Sequence, residues 1–137
     1  MSRFHPSRFM RLSLIGDAAA SGATGLLLLI GAGVLSGLLG LPEALMRWAG
    51  VALLPYAALI LYLGKLDALS SSAVWAVIST NVIWAAASVL LLLMGWISPN
   101  GLGLAFVLFQ AAVVAGFAEA QFVGLRRSSS SRMAKAM

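Results

Sequence analysis

Apolar residues along this chain fall into four long runs separated by short polar breaks. The runs cover about 12–39, 45–63, 73–94 and 102–125. A bilayer core of about 30 Å is crossed by about 20 helical residues, so the pattern predicts four transmembrane helices. The breaks carry turn chemistry. Leu41-Pro42-Glu43 ends one run and opens the next, with Pro and an acid suited to a first helical turn. Gly64 to Ser72 forms a loop whose serines can cap the third helix. Ser98-Pro99-Asn100-Gly101 has Pro and Gly at turn positions and makes the last two spans a short hairpin. The expected fold is an all-α integral membrane protein, a four-helix up-down bundle in residues 12–125.

Two basic tails flank the bundle. In residues 1–11, Arg3, Arg8 and Arg11 alternate with Phe4 and Phe9, a pattern that suits a segment (Ser2 to Arg11) lying on the membrane surface or a solvated tail. A signal peptide also begins with a basic segment, but its apolar core is about 7–15 residues. The first run is much longer and is read as an uncleaved span. Residues 126–137 read as a Ser-rich disordered tail.

Composition narrows the class. Hydrophobic residues make up 61%, charged ones 9%, and mean hydropathy is +1.00. Soluble domains carry roughly 25% charged residues, which excludes that class. Cysteine is absent and His5 is the sole histidine, which removes thiol chemistry, His-based catalysis and most metal or haem ligation from the spans. No cofactor, metal site or enzymatic activity is expected. A net charge of +5 would suit a nucleic-acid binder, yet seven of nine Lys/Arg sit in the tails. Anionic lipid head groups are the expected partners there, and nucleic acid is not. Placing both tails in the cytoplasm leaves only Arg47 outside, as the positive-inside rule requires. Size and an Ala/Leu/Gly-heavy make-up suit a bacterial inner-membrane protein.

Candidate chemistry lies in the polar residues within the spans. Asp17, Ser21 and Thr24 share one face of the first helix, beside the small residues Gly16, Ala20 and Ala23. Gly33 and Gly37 form a second small face. Pro55 removes the partner of the Val51 carbonyl, predicting a kink, and Tyr56 follows it. Asn81 lies in span three along with Trp84 and Ser88, a residue type that usually joins helices. In span four Gln110 and Gln121 share one face, and Glu119 occupies another with Ala112, Ala115 and Gly116, where a second helix can approach. At 1.5 Å per residue Asp17 and Glu119 both lie about 7–9 Å from the tail side, and Asn81 about 12 Å. Asp17, Ser21, Thr24, Tyr56, Asn81 and Glu119 thus form a candidate polar cluster, in which two facing acids would share a proton or bind a cation. The competing expectation is that each acid reaches the interface or pairs with Arg11 or Arg126.

GDAAASGATG lacks the preceding strand and spacing of a phosphate loop. Three functions fit. The first is a structural or accessory subunit of a homo-oligomer or larger membrane complex. The alternative is a small oligomeric transporter or channel using Asp17 and Glu119 for a proton or cation. The third is a lipid- or quinone-binding protein or intramembrane enzyme.

Overall fold

The computed structural model describes the backbone of residues 3–136 and the side chains of residues 3–128. Ser2 and the side chains of Arg132 and Lys135, all assigned to the tails above, lie outside the described residues. Five helices, α1 (Arg8–Ile30), α2 (Ala32–Leu39), α3 (Glu43–Lys65), α4 (Ser71–Leu93) and α5 (Gly101–Ala136), are joined by short connections. Four of them, α1, α3, α4 and α5, are long and apolar enough to cross a membrane. The chain is an all-α bundle with the form of a multi-pass membrane protein.

The helix ends follow from local chemistry. Ser7 caps α1, its hydroxyl accepting the Met10 N–H at 3.1 Å. The first apolar run is not one straight helix. From Arg8 to Leu39 it would extend about 48 Å, well beyond the hydrocarbon core. It breaks at Gly31, which ends α1 and starts α2 while still bonding Leu27 and Leu35. By contrast α3 continues as a single helix through Pro55. Ser70 caps α4. At the other end Gly95 takes φ +71°, its N–H bonds the Leu92 carbonyl, and the Trp96 N–H bonds that of Leu91. This paired closure satisfies the last carbonyls and requires a residue tolerant of left-handed backbone. Asn100 begins α5, its side-chain oxygen accepting the Gly103 N–H at 2.8 Å while its own amide donates to Leu38 O at 2.7 Å. α5 runs to Ala136, past Arg126 where the span was expected to end.

The N-terminal segment is tied to the bundle. Arg3–Phe4 (β1) pairs antiparallel with Leu69–Ser70 (β2), with Arg3 opposite Ser70 and Phe4 opposite Leu69. Phe4 is 5% exposed, within the core next to Met10 and Leu69, and His5 Nδ1 lies 3.0 Å from the Asp67 carbonyl. This pairing ties residues 3–4 to the loop before α4, with Phe4 buried and Arg3 exposed.

Helix α1 packs along α3, α5 joins α1 and α4, and α3 and α4 barely meet although a short loop connects them. Small residues recur every seven positions along the closely packed helices: Ala18 and Gly25 on α1 with Ala32 at the start of α2, and Gly50, Ala57 and Gly64 on α3. All six are buried. A Cβ on Gly50 would lie 2.7 Å from the Gly25 carbonyl oxygen and 2.9 Å from the Leu29 nitrogen. Backbones therefore touch there, as small residues permit in lipid. The residues expected to pack do not pack within the chain. Gly33, Gly37, Ala112, Ala115 and Gly116 are all exposed, and a Cβ on Gly37 or Gly116 would meet nothing within 4 Å. Small size permits close approach without specifying which side of a helix faces its neighbour.

Candidate functional site

Two apolar clusters fill the bundle. One near the tail side contains Met10, Leu14, Ile60 and Val74. The other, near the α2–α3 turn, contains Leu28, Leu39, Met46 and Val107. A polar network drawn from all four long helices lies at the inner edge of the first cluster. Asp17 of α1 is 1% exposed and accepts from three neutral donors. Ser21 Oγ reaches its Oδ1 at 3.1 Å. Asn81 Nδ2 and Gln121 Nε2 both reach its Oδ2, each at 2.8 Å. Asn81 Nδ2 also donates to Gln121 Oε1 at 3.0 Å, which closes a ring over α1, α4 and α5. Tyr56 of α3 completes it, donating its hydroxyl to Asn81 Oδ1 at 2.7 Å.

Among the described residues no buried side-chain nitrogen or oxygen lacks a partner. An unpaired polar group in hydrocarbon costs several kcal/mol, so this closure lets an acid sit inside the bundle. The arrangement is a pin: neutral amides and hydroxyls hold one carboxyl, and through it four helices keep one register. Losing the Tyr56 hydroxyl should have a moderate effect. Tyr56→Phe leaves Asn81 Oδ1 buried without a donor, and SDS-driven unfolding in mixed micelles should show a loss of about 1 kcal/mol.

Four of the six residues in the predicted cluster come together here: Asp17, Ser21, Tyr56 and Asn81. Thr24 is half-buried one turn beyond Ser21, lining the space above the network. Glu119 is elsewhere. It is exposed on the outer side of α5, about 200° around the helix from Gln121. Asp17 and Glu119 therefore do not face each other within one chain. Neither Arg11 nor Arg126 reaches the acid: Arg11 Nη1 bonds the Gly64 carbonyl at 2.9 Å, and the Arg126 guanidinium lies 5.7 Å from the centre of the Phe122 ring.

Gln121 is the member that sequence reasoning missed. It shares a face with Gln110, and that pairing was the available signal. Chemistry explains the preference. A glutamine supplies both a donor for Asp17 and an acceptor for Asn81, whereas an ionised glutamate offers only acceptors. Gln110 makes a second clasp, accepting from Trp84 Nε1 at 2.9 Å and donating to the Val107 carbonyl at 2.9 Å.

Above the Tyr56–Asn81 bond the gap between α3 and α4 widens into a cleft of about 350 Å³. It runs from Ala52, Thr24, Trp84 and Gln110 at mid-bundle to Leu41 and Ile97 at the far end. Smaller spaces of about 260 Å³ and 190 Å³ continue it toward the network, and Trp84 borders all three.

Among the described residues no group of three or more His, Cys, Asp or Glu is placed to hold a metal ion. The site thus comprises one buried, fully bonded carboxyl, one outward carboxyl on α5, and an uncharged cleft. No family model, curated protein or solved structure matches this chain.

Proposed function

We propose that this small membrane protein acts as a structural or accessory subunit, joining copies of itself or a larger membrane complex. One observation carries this reading: Glu119 sits on an outward face of α5 whose other members are small. Ala112, Ala115 and Gly116 are exposed beside it, and a Cβ at Gly116 would meet open space. Glu119 stands two positions before Gln121, so it lies about 3 Å along the axis from the buried ring, within the span and not at its end. An ionisable group at that level against hydrocarbon is costly, and such groups typically face protein or a water-filled cavity. The smooth surface around Glu119 lets another helix come close enough to satisfy it. Gly33 and Gly37 present a second open face on α2.

Native-state sizing in lipid nanodiscs tests the proposal. The expected result is a species larger than the 14.2 kDa monomer, which Gly116→Leu dissociates and Glu119→Gln weakens about tenfold. Monomer alone, extracted directly from the native membrane, would overturn it.

The transporter alternative has less support. Asp17 has its oxygens occupied by three in-chain donors, and the far half of the interior is lined almost wholly by apolar groups.

A further inference from the structure

The cleft between α3 and α4 has a polarity of its own. Its lining includes no charged residue, so it does not select an ion or a charged head group. Polar groups gather at its deep end. The Thr24 hydroxyl faces the space and makes no hydrogen bond among the described residues. Gln110 directs one N–H at the Val107 carbonyl and retains the second. Trp84 and Phe106 supply aromatic walls at this level. Toward the far end the lining is apolar, through Leu41, Leu45 and Ile97, with the Trp48 indole at its exposed edge.

A phospholipid acyl chain has the opposite polarity, because its head stays at the interface and its methyl end lies deep. The lining instead suits a molecule that carries a neutral oxygen to mid-membrane and leaves hydrocarbon behind it. The volume of about 350 Å³ falls within the range of small-molecule sites, about 300–1,000 Å³. Entry needs no route through water, since α3 and α4 barely touch and the gap opens sideways toward the bilayer.

We infer that the α3–α4 cleft is a binding site for a chain-bearing quinone, with a ring carbonyl accepting from Thr24 and Gln110 and the ring against Trp84. A smaller space of about 260 Å³ bordered by Trp84, Tyr56 and Asn81 lies between the site and the polar network. Binding and assembly use different faces of the chain, so this inference does not rest on the proposed subunit role.

Trp84 and Trp48, which both line the cleft, are the reporters. In protein with Trp75 and Trp96 replaced by Phe, reconstituted into phosphatidylcholine nanodiscs, decylubiquinone is titrated and tryptophan quenching followed. Saturable quenching is expected. Ala87→Phe, at an exposed position lining the cleft, should weaken it at least tenfold with helicity unchanged. Thr24→Val, which keeps shape and removes the hydroxyl, should weaken it about three- to tenfold. Quenching that rises linearly and is equal in wild type and Ala87→Phe would overturn the inference. So would displacement of the quinone by brominated phosphatidylcholine, which would assign the cleft to ordinary lipid chains.

Discussion

Asp17→Ala should lower stability by about 3 kcal/mol, measured by unfolding in mixed micelles with far-UV circular dichroism. Three hydrogen bonds to the carboxyl are lost, and each such bond contributes about 0.5–1.5 kcal/mol in soluble proteins. Membrane proteins show less per bond because the unfolded chain in lipid also finds partners, which brings the sum down. The larger part of the effect lies in what remains. Asn81 and Gln121 are 2% and 0% exposed, and each would keep one buried N–H without the acceptor that Asp17 supplied. Asp17→Asn is the informative companion. The new amide still offers an oxygen to Asn81 and Gln121, and its nitrogen can donate to the Ser21 hydroxyl, so a loss of about 1 kcal/mol is expected. A protein that depended on Asp17 to carry a proton would behave differently, keeping its stability in Asp17→Asn and losing its flux. Equal stability of wild type and Asp17→Ala, within about 0.5 kcal/mol, would show that the ring does not hold the bundle.

Gly50→Val should be at least as damaging, by about 3 kcal/mol or through failure to assemble the native fold. Even a lone Cβ at Gly50 comes within 2.7 Å of the Gly25 carbonyl oxygen and 2.9 Å of the Leu29 nitrogen. Both obstacles are backbone, so no side chain can rotate away, and α1 and α3 must separate where their backbones touch. Overpacking of a well-packed core costs about 1–3 kcal/mol when side chains can adjust, and here they cannot. Gly37→Ala is the control. Nothing lies within 4 Å of that position, and replacing a helical glycine with alanine stabilises by up to about 1 kcal/mol. If Gly50→Val were tolerated as well as Gly37→Ala, the α1–α3 contact would be looser than the geometry described here.

The expectations that survived rest on one-dimensional properties. Run lengths and breaker residues indicated four long apolar helices, and Ser70 and Glu43 occupy the capping and first-turn positions their chemistry suits. Glu43 also pairs with Arg47, four residues on along the same helix face. The first span was misjudged in extent because an apolar run shows where lipid is tolerated but not where backbone bends. Gly31 divides it, and only packing against α3 and the α5 start reveals the need.

The seven-residue recurrence of Ala18, Gly25 and Ala32, matched by Gly50, Ala57 and Gly64, was present in the sequence and marks the true close-packed face. It was less conspicuous than Gly33-x-x-x-Gly37, which the chain leaves open.

The sequence by itself determined that this chain is built for a membrane, that its helices number four long ones, and that Asp17, Ser21, Tyr56 and Asn81 lie at comparable depths. Those properties depend on hydropathy, helical rise and side-chain type, which need no knowledge of neighbours. Tertiary structure alone decided which acid went inside. Depth made Asp17 and Glu119 equivalent, but rotation about the axis of α5 separates them, turning Gln121 inward and Glu119 out. That rotation follows from hydrogen-bond complementarity, since a ring around one carboxyl requires groups that donate as well as accept. It follows as well from the void between α3 and α4, a property of helix arrangement that no single helix carries.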